Sequence, residues 1–142
     1  MDPDAVLALC HEHAEAEARF DVARILATLS GHPRYEFFPA AVVLEGAEVV
    51  RRFYEEQYPR FAATVTAYAL HGEWANDQAA VQEYTIALRR GDEGDRSYRV
   101  LSLMPVDEAS GRLAGERLFC DEAFVGALLG PLVALTSPVR DA

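Results

Sequence analysis

Lysine is absent from this chain: all thirteen basic residues among its 142 are arginine. Schiff-base chemistry and a lysine general base are thereby excluded, since both need a side-chain primary amine. Cysteine is scarce as well. Cys10 and Cys120 belong to no motif and read as small buried hydrophobes, not as a disulfide framework. No apolar run approaches the roughly 20 residues of a membrane-spanning helix. The opening stretch MDPDAVLALCHEHAEAEARFD is acidic and soon charged. It resembles neither a signal nor a transit peptide, so a cytoplasmic protein is expected. There is no basic run, and the formal net charge is −10. Nucleic acid and anionic membrane are therefore not expected as partners.

What is present fits one domain over residues 1–142, because half the residues are hydrophobic and the length suits a single core. Asp2 followed by Pro3 is a helix start, with an N-cap and then proline in the first turn. Val6, Leu7, Leu9 and Cys10 give that helix an apolar stripe. A bend is expected near Phe20, where Asp21 caps a second helix carrying Val22, Ile25, Leu26 and Leu29. Ser30 to Pro33 reads as its end. Short strands are expected at Arg34 to Phe38 and Val42 to Leu44. Gly46 then opens a helix with Val49, Val50, Phe53 and Tyr54 on one side. From Thr64 the pattern alternates, with long strands at Val65–Trp74, Ala80–Arg89 and Tyr98–Val106, and a turn signal at Gly91–Gly94. The stretch GRLAGERLFCDEAFVGALLG closes the series as a strand running into a helix. Asp121 is its N-cap, Gly130 its C′ residue, and Pro131 stops it. Helices first and a meander afterwards predict an α+β domain with helices on one face of an antiparallel sheet.

Three pieces carry a family resemblance. Asp21-Val22 opens the second helix, which ends in Leu26-Ala27-Thr28-Leu29. Gly46 precedes Val49, Val50, Phe53 and Tyr54. Gly111-Arg112-Leu113 leads to Asp121 and Leu128-Leu129-Gly130. In this order and spacing they resemble the nuclear transport factor 2-like superfamily, which includes SnoaL-like polyketide cyclases and ketosteroid isomerases. The resemblance covers nearly the whole chain. It implies a cone-shaped, strongly curved antiparallel sheet wrapped around the N-terminal helices, and an apolar cavity with a few polar groups. It does not imply one activity, because such folds host many.

The resemblance also ranks candidate site residues. His13 falls where the isomerases place a pocket tyrosine that bonds the substrate oxygen, and Tyr54 where they keep a second, supporting tyrosine. The competing reading makes His13 a partly exposed helix residue paired with Glu17. His11 and His13 point about 200° apart on a helix and cannot share an ion, so no metal or other cofactor is expected. Glu116 shares a strand face with Leu118 and Cys120. In the family that face looks into the cavity, which would raise the carboxyl pKa. The alternative is a salt bridge to an arginine such as Arg99. Ser102 falls near a buried acid of the isomerases. Phe38 stands before Pro39 where those enzymes carry their proton-shuttling aspartate, so their mechanism is not reproduced. Tyr35, Phe38, Glu83, Ser102, Leu118 and Glu17 are expected to contact a ligand, with the inward face of the Glu83 strand left open. His13, Glu116 and Tyr54 are the candidate catalytic set. The expected function is a SnoaL-like pocket protein performing cyclisation, isomerisation or hydration on a hydrophobic carbonyl compound. Its alternatives are a non-catalytic binder of an apolar small molecule or a structural domain. A homodimer through the sheet is expected in each case, since alternating strands carry apolar residues on both faces.

Overall fold

A computed structural model describes residues 1–140; the last two residues of the expected domain lie outside them. Helix α1 spans Pro3–Ala18, capped by the Asp2 carboxylate, which accepts from the Ala5 amide at 2.9 Å. The chain then reverses through Phe20, a non-glycine residue at φ 54°. Asp21 caps α2, Val22–Thr28, by accepting from the Arg24 amide. Strand β1 starts at once and runs Leu29–Phe38. The helix therefore ends one residue before Leu29, and the Ser30–Pro33 stretch expected to end it is already strand. Its irregularity survives as a register shift between Leu29 and Arg34.

Strand β2, Val42–Glu45, returns beside β1. The next helix is not uniform. It begins as α3, Ala47–Arg52, widens into a π-helical turn over Phe53–Gln57, and resumes as α4, Tyr58–Ala62. Within the wide turn the Tyr58 amide bonds the Phe53 carbonyl, five residues back. Phe53, Tyr54 and Gln57 are all buried there. Such turns are single-residue expansions of an α-helix and recur at functional sites.

Strands β3 (Val65–Ala75), β4 (Ala79–Arg89), β5 (Asp95–Asp107) and β6 (Arg112–Phe119) form the expected antiparallel meander. Helix α5, Glu122–Leu129, follows, with Asp121 accepting from the Ala123 amide. Gly130 takes φ 50°, and the chain continues past Pro131 as a 3₁₀ turn before a two-residue strand β7, Ser137–Pro138.

The sheet order is β3-β4-β5-β6-β1-β2-β7. One pairing corrects the expected all-antiparallel sheet: β1 lies parallel to β6, with Tyr35 opposite Glu116 and Phe37 opposite Leu118. The sheet is mixed and open. At that junction Gly115 is obligatory, because a Cβ there would stand 1.9 Å from the Arg34 carbonyl oxygen. The β1–β6 pairing brings residues of the first and last quarters of the chain onto one inner face. The helices cover that face, and one core of side chains from all layers fills most of the space between. Among the described residues no helix is long and apolar enough to cross a membrane.

Candidate functional site

The core is not filled completely. A cavity of about 550 Å³ opens between the helices and the inner sheet face. Helix α1 brings His13 and Glu17, β1 brings Tyr35, the π-helical turn brings Tyr54, and β6 brings Glu116 and Leu118. Phe20 and Tyr68 line it while half exposed, which puts them at its rim.

His13 is 4% exposed, and its Nδ1 lies 2.7 Å from Thr28 Oγ1. The Thr28 hydroxyl gives its only proton to the Ile25 carbonyl at 2.6 Å. It must therefore accept from His13, so Nδ1 carries a proton in either charge state of the ring. That leaves Nε2 as the variable atom. Tyr54 Oη is 3.3 Å from it, Tyr35 Oη 3.4 Å and Glu17 Oε1 3.4 Å. The Tyr54 hydroxyl donates to Glu17 at 2.7 Å. With its proton committed there, it accepts from Tyr35 at 2.9 Å. The oxygens around Nε2 are thus all free to accept, and the array is complete when the imidazole is protonated.

The electrostatics agree. Burial is the largest influence on His13 and favours the neutral ring, but the charge and hydrogen bond of Glu17, aided by Glu116, outweigh it and raise the pKa. Tyr35 and Tyr54 are held as neutral phenols, chiefly by burial and then by the same carboxylates. Among the described residues no arginine pairs with Glu116. Burial, then repulsion from Glu17, raises its pKa to about 7, against a hydrogen bond from Ser102 and the attraction of His13. Ser102 is itself buried, one strand away on β5. Burial pushes the Cys10 and Cys120 thiols up to about 12, so neither is a nucleophile at neutral pH.

Three expected ligand contacts do not line the cavity. Ser102 is buried in the sheet, where it donates to Glu116 and does not reach the cavity itself. Glu83 faces away from the cavity and pairs with Arg99 at 2.9 Å on the outer sheet face. The open question about β4 is thereby answered: Gln82, Tyr84 and Ile86 look inward. The same pair rules out Arg99 as the partner of Glu116. Phe38 also points outward and stacks on Phe119, ring centroids 5.2 Å apart. Its neighbour Phe37 takes the inward position, because successive strand residues alternate.

Sequence reasoning missed Tyr58, Tyr84, Tyr68 and Gln82. Tyr84 and Gln82 were recoverable once one residue of β4 was known to face inward. Tyr58 was recoverable from its place four residues after Tyr54.

No family model and no curated protein matches the chain. Solved structures do match it. A protein named as NTF2-like from Burkholderia xenovorans is 12% identical, with a TM-score of 0.67 over 87% of this chain and 94% of that one. A protein provisionally named a SnoaL-like polyketide cyclase, from Shewanella denitrificans, is 14% identical, with a TM-score of 0.66 over 87% and 95%. An LEH-like epoxide hydrolase from M. tuberculosis is 21% identical, with a TM-score of 0.64 over 94% and 96%. At such identities the likeness establishes the fold, and the chain has the nuclear transport factor 2-like α+β fold with its curved sheet.

Proposed function

We propose that the cavity is the active site of a SnoaL-like enzyme performing acid–base chemistry on a hydrophobic carbonyl compound. The observation that carries this reading is the convergence of His13 and Glu116 on one apolar-walled cavity. A carboxyl with a pKa of about 7 is divided between base and acid at neutral pH, where proton transfer is most efficient. Glu116 then removes a proton alpha to the carbonyl. His13, protonated at Nε2, shifts that hydrogen bond from the long contacts to Tyr54, Tyr35 and Glu17 to the carbonyl oxygen as charge develops on it. Glu116 returns its proton to carbon at the end, which completes an isomerisation, and the same pair serves cyclisation or hydration. Glu17 and Tyr54 hold the imidazolium. Thr28 fixes the ring. Tyr35 and Leu118 shape the wall, and Ser102 steadies Glu116.

The test is deuterium exchange. A panel of hydrophobic ketones is incubated with the protein in D₂O and followed by NMR. Protein-dependent incorporation alpha to the carbonyl, lost in Glu116→Gln, is expected. Incorporation no faster than in buffer for every ketone would defeat the reading. A non-catalytic binder is the second reading, favoured by one observation: every buried side-chain polar atom among the described residues already has a partner.

The second part of the proposal is a cytoplasmic homodimer formed through the outer sheet face. Trp74, Leu101 and Phe119 are exposed there at 57%, 40% and 43%, and Phe38 stacks beside them. Such a patch gains by burial against a second copy.

A further inference from the structure

The cavity walls have an unbalanced charge. Among the lining residues the ionisable acids are Glu17 and Glu116, and no arginine is present. His13 is the sole basic group there. With all three ionised the set carries a net negative charge of one against mostly apolar walls. Ten of the 23 lining residues are Phe or Tyr. Aromatic faces are electron-rich and attract cations, most strongly where water is excluded. Tyr58 and Tyr84 line the cavity, and their hydroxyls form no hydrogen bond among the described residues. No buried polar atom there lacks a partner, so both hydroxyls border open space.

We propose that the cavity selects a hydrophobic amine, whose ammonium group is held between Glu17 and Glu116 against the faces of Tyr58 and Tyr84. The inference rests on the cavity being a small-molecule site and not on the acid–base roles given to its residues. An anionic ligand is rejected by the same walls, because two carboxylates would face it with one imidazolium to offset them. A neutral ligand leaves the imbalance in place. A monocation removes it.

Without a cation the charge imbalance is met in another way, by keeping a proton on Glu116. A bound ammonium replaces that proton, so binding releases it. The groups around Glu116 are His13, Glu17 and Cys10 on α1, Tyr35 on β1, Tyr54 and Tyr58 on the middle helix, Tyr84 on β4, and Ser102 and Cys120 on β5 and beyond β6. The phenols and thiols stay neutral below pH 9 or so, given their upward shifts. Glu116, at about 7, titrates in the neutral range, and His13 is raised above its ordinary value. Losing the His13 proton favours a cation as well, so both act in the same direction. Amine affinity therefore rises with pH, by roughly tenfold between pH 6 and pH 8 for one released proton.

Three matched probes test this: 4-phenylbutylamine, 4-phenylbutanol and 4-phenylbutyrate, titrated calorimetrically into the wild-type protein at pH 6 and pH 8. The amine is protonated throughout. The amine is expected to bind at least tenfold tighter than the alcohol at pH 8, with the carboxylate undetectable. The preference should shrink about tenfold in Glu17→Gln and in Glu116→Gln, while alcohol affinity is kept. Equal or tighter binding of the alcohol overturns the amine assignment and leaves the cavity a small-molecule site. An amine affinity independent of pH and of both substitutions also overturns it. Failure of all three probes overturns it together with the pocket reading. The wild-type comparison stands even if either variant fails to fold.

Discussion

Replacing Glu116 with Gln should change how stability depends on pH, whatever the natural ligand is. The carboxyl lies in the cavity wall without an arginine, and its pKa rises from the ordinary 4.5 to about 7. A group whose folded pKa is raised stabilises the fold fully below its unfolded pKa. That contribution disappears as pH rises through the folded value. A shift of this size corresponds to about 3 kcal/mol in total. Most of it, roughly 2–3 kcal/mol, is lost between pH 5 and pH 8. His13 has a raised pKa too and depends partly on the charge of Glu116, so it adds to the loss in the same direction. Gln keeps the shape and a hydrogen bond to Ser102 but cannot titrate. Urea unfolding of both proteins at pH 5, 6, 7 and 8 gives the comparison. The wild type should lose stability relative to Glu116→Gln by that amount, with the steepest change midway between the unfolded and folded pKa values, near pH 6. Curves that stay parallel within about 0.5 kcal/mol, near the precision of extrapolated values, would show that the carboxyl is not desolvated. A variant destabilised by roughly 3–5 kcal/mol at every pH would instead indicate a broken buried ion pair, against the geometry described.

Other outcomes follow from the same geometry. Tyr54→Phe removes the donor to Glu17 and the acceptor for Tyr35. It should cost about 1–3 kcal/mol in thermal or urea unfolding and lower the His13 pKa in an NMR titration. Thr28→Val removes the acceptor that fixes the His13 ring; the ring should lose its single tautomer in ¹⁵N spectra, with a stability loss of about 1 kcal/mol. A double change of Trp74 and Phe119 to Glu should convert a dimer into a monomer by light scattering without changing the far-UV spectrum. A wild-type protein that is monomeric at micromolar concentration would remove the sheet-face dimer. Gly115→Ala should fail to give soluble folded protein, because its Cβ has no space beside Arg34.

The local signals in the chain were readable because their causes are local. Asp2, Asp21 and Asp121 cap helices in the sequence reading and in the structure, since a carboxylate reaches only the amides just after it. The strands from Val65 onward follow their alternation. The parallel β1–β6 pairing was not readable, because partners so far apart in sequence leave no mark in either segment. Alternation also defines two faces of a strand without saying which is buried. That is why the inward face of the Glu83 strand stayed open until the structure showed Gln82 and Tyr84 in the cavity; Phe38 was expected there through the family resemblance, and its neighbour Phe37 takes the place. The π-helical turn was hidden because Phe53, Tyr54, Gln57 and Tyr58 suit an ordinary helix equally well. The His13 cluster was legible only through family resemblance. Its proton arrangement depends on Thr28, on another helix, and on distances no sequence pattern encodes.

The parallel pairing sets a timetable for the chain as it leaves the ribosome. Translation delivers His13, Tyr35 and Tyr54 early, but β1 then has only the four residues of β2 beside it. Its other edge, carrying Tyr35 and Phe37, waits for β6, the last long strand to be made. At about 5–20 residues per second that delay lasts several seconds. During it an apolar strand edge stands open to any passing chain. The nascent chain is therefore most vulnerable just before Phe119 emerges, and a premature stop anywhere before β6 leaves that edge exposed for good. Glu116 arrives on the same strand that closes the edge, so no fragment short enough to lack β6 can carry the complete site.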